Sequence, residues 1–240
     1  MQVSARRKNL KPEERRSQIF DCAQQLFLTK GYARTSINDI MNAAGVSKGA
    51  FYHHFDSKEA MVDGLMARYA DQIRGAYDAV IETEGLDAMA RYMMYLEILR
   101  DRQKIAEPKS MMLVITSLLN EEDMAFQDRL MEAIVAAVVP VFSEVLRLGI
   151  EEGTFQIDDP QTAAPLIVRI ANQHRYVLRS AFAATTPEEQ KAAMQRINDS
   201  LNMQGLAIDR LLGIPDGSTQ LRHDDYARDF VGNLRQAASS

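Results

Sequence analysis

Three helix-start signals crowd into the stretch between Arg34 and Lys58, and that crowding limits what the chain can build. Ser36 followed by Asp39 has the form of a capping box, and Asp56 followed by Glu59 repeats it. Between them, Ser47 is placed as an N-cap, with Val46 and Phe51 at the two positions of a hydrophobic staple. Gly45 closes the segment that Ser36 opens. Helices bounded so closely are short, and the gap between the first two leaves a turn of about three or four residues, which is helix-turn-helix spacing.

The rest of the chain repeats apolar residues at helical intervals, without sustained period-two alternation, so the expected fold is all-α. A first helix should start at Pro12, with Glu13 and Glu14 complementing its dipole, and end at Gly31. After the short helices, a fourth runs from the Asp56–Glu59 cap to about Glu84. Further helices are expected over Leu86 to Glu107, through Met111 to Leu119, over Glu121 to Glu152 with a kink or division at Pro140, and over Pro160 to Ala184. Thr186, Pro187 and Glu189 open a last long helix reaching Leu212 before Gly213. The domains read as residues 1–60, a small helical module; 61–213, a larger helical body; and 214–240, a mobile polar tail on which Tyr226, Phe230 and Val231 could dock a short helix.

Charge divides along the same line. The chain carries −5 in total, yet residues 1–60 hold 10 Lys/Arg against 6 Asp/Glu, and the remainder 18 against 27. A basic module on an acidic body suits a nucleic-acid reader with a separate second function. Single Cys22 excludes an intramolecular disulfide and any multi-cysteine zinc site. With no run of about 18 apolar residues and a charged opening from Met1 to Leu10, the expectation is a cytoplasmic protein without a membrane partner.

In the third helix, SKGAFYHHF, Phe51 and Phe55 share one face and should point into the core. Gly49 and His53 then lie near the centre of the outward face, flanked by Ala50 and Tyr52, with His54 at its edge. Small residues near the helix start permit close approach, and Lys48 adds a cation there, an arrangement suited to a helix pressed N-terminus first into a major groove. Lys58 adds a cation beside the start of the fourth helix, where free N–H groups favour phosphate. Tyr52 could equally border a core, and Lys58 could be a solvated charge. Adjacent His53 and His54 diverge by about 100° on a helix and cannot readily chelate one ion, so no metal is expected. No nucleophile signature, phosphate loop or cofactor motif accompanies them, and the chain is read as neither an enzyme nor a cofactor protein.

Taken together, RTSINDIMNAAGVSKGAFYHHFDSKEAMVDGL, Arg34 to Leu65, resembles the DNA-binding signature of the TetR family of bacterial transcription regulators, and the likeness extends back to about Glu13. The resemblance implies a homeodomain-like three-helix module fused to a ligand-binding and dimerisation domain, acting as a ligand-responsive repressor on a two-fold-symmetric operator. It implies that Thr35, Ser47, Tyr52 and Lys58 contact phosphates, with Ser36 in the same DNA-binding set, and that Lys48, Gly49, Ala50, His53 and His54 face the groove. Ala50 stands where many relatives carry Thr, which removes a hydroxyl, and Phe51 stands where Leu or Ile is common.

Two readings of the body stay open. A stripe of Ala163, Ala164, Ile167, Ile170, Ala171, His174, Val177, Leu178 and Ala181, continued by Ala193, Ile197, Leu201, Ile208 and Leu211, could form a homodimer interface through the last two long helices or pack within one chain. Tyr92, Tyr95, Met111 and Met112, with His174 and Tyr176, could line a pocket for a small apolar or aromatic effector or be ordinary core.

Overall fold

The computed structural model describes residues 11–100, 124–173, 181 and 183–221. Every regular element among them is a helix: α1 Pro12–Lys30, α2 Ile37–Ala44, α3 Lys48–His54, α4 Lys58–Glu82, α5 Ala88–Arg100, α6 Met124–Glu151, α7 Pro160–Ile170 and α8 Pro187–Leu212.

The caps explain most of these bounds. The Ser36 hydroxyl accepts from the Asp39 N–H while the Asp39 carboxylate accepts from the Ser36 N–H, the reciprocal pair expected for α2. Thr186 and Glu189 do the same for α8. For α4 the cap falls one residue later than expected: the Ser57 hydroxyl, not the Asp56 carboxylate, accepts from Ala60 N–H at 3.0 Å. Both residue types cap well, so the pattern alone had two registers open to it.

Two elements depart from expectation for local reasons. α6 is one continuous helix through Pro140, neither divided nor ended there. Pro140 and the Ala136 carbonyl four residues before it both belong to solvent-exposed residues, so water can satisfy the acceptor that the missing N–H abandons. α7 stops at Ile170, not Ala184. The Asn172 side-chain amide donates to the Val168 carbonyl at 2.6 Å, taking the acceptor that helix continuation would give to its own backbone N–H. The Asn172 and Gln173 N–H groups turn instead to Arg169 and Ile170. The expected helix through Met111–Leu119, and the stripe positions His174, Val177 and Leu178, lie outside the described residues.

α6 is the spine of the body, packed on α4, α5 and α7. By length and composition it could cross a bilayer, although Glu144 and Arg147 interrupt its apolar run, as the sequence reading had it. Half of its most apolar stretch is buried against neighbouring helices, which accounts for its apolarity. α4 begins in the N-terminal module and continues into the body, and one contiguous apolar core runs from Ile19 to Leu221.

The segment after α8 is not a free tail as far as Leu221. Ile214, Thr219 and Leu221 are buried, and the chain folds back along α8. The fully buried Asp209 carboxylate accepts from Gly217 N–H at 2.6 Å and Thr219 N–H at 2.8 Å, the Thr219 hydroxyl pairs with the Tyr92 hydroxyl at 2.5 Å, and Arg100 donates to the Gln220 carbonyl at 2.9 Å. Gly205 makes room for this strap, since a Cβ there would lie 2.2 Å from the Thr219 carbonyl oxygen. Residues 222–240, including Tyr226, Phe230 and Val231, lie outside the described residues.

Asp209→Ala leaves the Gly217 and Thr219 N–H groups buried without their acceptor and should lower unfolding free energy by roughly 2–4 kcal/mol in urea denaturation. Asp209→Asn keeps one acceptor oxygen and should lose less.

Candidate nucleic-acid interface

α2 and α3 are joined by Gly45, Val46 and Ser47 alone. Gly45 adopts φ 64° and ψ 31°, a left-handed conformation that a Cβ disfavours, and its N–H closes α2 on the Asn42 and Met41 carbonyls. Ser47 then caps α3, accepting from Ala50 N–H at 3.2 Å. The seven residues of α3 are too few to be helical alone, so tertiary contacts hold them. Phe51 and Phe55 supply those contacts: both are buried, their rings 5.7 Å apart, and Phe55 lies 5.1 Å from Phe20 of α1.

With those rings inward, the opposite face is open. Ser47, Lys48, Gly49, Tyr52 and His53 are exposed, and Ala50 and His54 are partly so. Nothing lies within 4 Å of where a Gly49 Cβ would stand, so a partner's backbone can approach closely. Tyr52 is 43% exposed with the Lys48 ammonium 6.0 Å from its ring centre, which sets a cation and a hydroxyl-tipped ring side by side. The two histidine rings sit 5.2 Å apart at 70°. Partial burial, with the neighbouring His53 and Arg16 charges, pushes the His54 imidazole below its ordinary range, which favours its neutral form. Among the described residues no group of three His, Cys, Asp or Glu is placed to hold a metal ion.

Three expected contact residues are arranged differently from the rest. Thr35 is only 2% exposed, and its hydroxyl donates to the Gly31 carbonyl at 2.7 Å, bracing the α1–α2 turn from within. Ser36 is exposed, yet its hydroxyl donates to Asp39 at 2.7 Å. The Lys58 ammonium donates to the Tyr32 carbonyl at 2.5 Å and stands 3.9 Å over the Tyr32 ring, so it pins the start of α4 to the α1–α2 turn. Asp39, which would repel a phosphate, is offset by Lys30 at 2.7 Å; that contact and the bonds from Ser36 hold its carboxyl well below the usual carboxylate range.

The sequence reading missed Arg15 and Arg16. Arg16 lies over the Phe20 and Phe55 rings at 5.4 and 5.7 Å, and Arg16, Glu13 and Arg15 all act on His54, so the start of α1, with two cations beside one carboxylate, borders α3. Their spacing on α1 was the available signal, but only the fold brings that end of α1 beside α3.

In the body, Tyr92 and Tyr95 are core residues. The Tyr95 ring stacks on Phe142 at 4.5 Å, and the Tyr92 hydroxyl is taken by Thr219, while burial raises its pKa far above the ordinary value. Met111, Met112, His174 and Tyr176 lie outside the described residues. An open groove of about 520 Å³ lies elsewhere, between α1 and α4, bordered by Arg16, Phe20, Gly64, Arg68 and Gln72.

Residues 19–65, which contain α2, α3 and the start of α4, match the family model described as bacterial regulatory proteins, tetR family. The HTH-type transcriptional repressor KstR2 of Rhodococcus jostii is 42% identical over 76 residues, 32% of this chain and 37% of that protein, so the alignment spans little more than a third of that relative's length. The KstR2 repressor of Mycobacterium tuberculosis is 30% identical over 158 residues, 60% of this chain and 70% of that protein. Among solved structures, a TetR-family regulator from Pectobacterium atrosepticum superposes with a TM-score of 0.58 at 21% identity, over 87% of this chain and 100% of that one, a likeness of fold. The chain belongs to the TetR family of bacterial regulatory proteins.

Proposed function

We propose that this chain is a sequence-specific transcriptional repressor that binds a two-fold-symmetric operator as a homodimer and lets go when a small apolar or aromatic effector occupies its body. The observation that carries the reading is the division of α3: Phe51 and Phe55 fix it from behind, and Lys48, Gly49, Tyr52 and His53 are left outward on a helix that begins at a turn. Such a helix can enter a major groove with its first residues at base edges and its flanks on phosphates. Ser47, Ala50 and His54 belong to the same surface, while Thr35 and Lys58 support it from inside. The relatives named above as repressors support the sign of regulation.

One module contacts few base pairs, so specificity favours two copies with recognition helices about 34 Å apart. For the subunit contact, the apolar stripe read on the last helices has to be divided. Ala164, Ile167, Ala171, Ala181, Ala193, Ile197, Leu201 and Ile208 are buried within the single chain. The large apolar side chains that α7 and α8 leave outward are Leu166 at 50%, Met203 at 65% and Leu211 at 40% exposure, and these are the residues proposed for the dimer.

Selection of duplexes from sheared genomic DNA at fixed salt tests the reading: the parent should enrich one two-fold-symmetric site, and enrichment of no site overturns it. Lys48→Ala and Tyr52→Ala should each weaken binding to that site at least tenfold by fluorescence anisotropy with the dimer intact, a loss of about 1.4 kcal/mol or more. If the lysine meets a phosphate, its removal should also lower the salt slope by about 0.9. Met203→Arg should shift sedimentation toward the monomer while helical content is kept; an unchanged dimer would exclude this face as the contact.

A further inference from the structure

Phe126, in the first turn of α6, has no exposed surface, and its neighbours are not those of an ordinary body residue. Its ring centre lies 6.0 Å from Phe27 near the end of α1 and 5.5 Å from Tyr32 in the α1–α2 turn, and those two rings are 5.4 Å from each other. Three rings from three segments therefore close one cluster, two edge-to-face contacts among them, a geometry that aromatic quadrupoles favour. Tyr32 is in turn held by Lys58 at the start of α4, through its carbonyl at 2.5 Å and its ring at 3.9 Å. One turn beyond Phe126, Arg129 forms an ion pair with Asp63 of α4. Thus the first two turns of α6 grip both ends of the module's attachment: the α1–α2 turn by rings, and α4 by charge. None of these groups lies on the outward face of α3.

Packed clusters of this kind shift between discrete arrangements and do not deform smoothly. A change in the position of α6 must carry the module with it or open the cluster. We propose that Phe126 is a positioning residue for operator recognition: it fixes the pose of the helix-turn-helix module on the body, and so the separation of the two recognition helices in a dimer, without touching DNA. The inference rests on the DNA-binding reading above.

The test is selection from a random-sequence duplex library with the full-length parent, Phe126→Leu and Arg129→Ala. Leucine keeps an apolar side chain but removes the ring contacts, and Arg129→Ala breaks a partly exposed ion pair without opening a cavity, so it stays informative if Phe126→Leu folds poorly. The parent should enrich one half-site at one centre-to-centre spacing. Phe126→Leu should enrich the same half-site over two or more spacings, and its preference for the parent spacing over one shifted by a base pair should fall about fivefold or more, with Arg129→Ala smaller in the same direction. A single, unchanged spacing in both variants overturns the proposal, as does a changed half-site sequence at the old spacing. If the parent enriches no two-fold site, the DNA-binding reading itself fails and takes the proposal with it.

Discussion

The contact on which the rest of the interface depends is the one that Phe51 and Phe55 make behind α3. A helix of seven residues has two turns and few internal hydrogen bonds, so its free energy of formation in isolation is unfavourable. Burying two phenylalanine side chains in the module's core supplies on the order of 4–6 kcal/mol of apolar transfer, enough to order so short an element. The same burial decides which residues are outward, because the helical period fixes Gly49, Tyr52 and His53 on the other side once the rings are placed. Which side chains α3 offers outward is a consequence of core packing.

That dependence is why the interface was legible in the sequence. Ser36 with Asp39, Gly45, and Ser47 each act over three or four residues, and local signals of that range survive without knowledge of the fold. The start of α8 at Thr186 and Pro187 was legible for the same reason. Where two local signals competed, as Asp56 and Ser57 do for α4, the sequence left the register one residue uncertain. The end of α7 was hidden because a polar side chain, Asn172, captures a backbone acceptor, an outcome that an apolar repeat cannot report.

The rest was less legible because its decisive interactions are mostly distant in sequence. Lys58 looks like a surface donor in the sequence, and only the fold shows its ammonium turned to the Tyr32 carbonyl 26 residues away. Tyr92 carries a hydroxyl that seemed suited to an effector, but its partner Thr219 is 127 residues away. Asp209 resembles one more charge on a helix; its burial follows from a strap that returns after Gly213 and offers two backbone N–H groups. Likewise an apolar stripe states that a face is covered without saying by what. Ile197 and Leu201 are covered by their own chain, and Met203, two positions on, is not.

Those long-range ties bear on how the two halves of the molecule can communicate. α4 has 25 residues, about 37 Å of helix at 1.5 Å per residue, and it is shared by module and body. A tilt of about 5° over that length displaces its far end by about 3 Å, close to the 3.4 Å rise between stacked bases. Small changes at the body's end of α4 are therefore large at the module's end. They are transmitted only if the module cannot pivot independently at the start of α4. Lys58 on the Tyr32 carbonyl and Phe126 between Phe27 and Tyr32 restrain such a pivot, so the stiffness of the joint, more than the size of any motion in the body, sets how much of a tilt reaches α3.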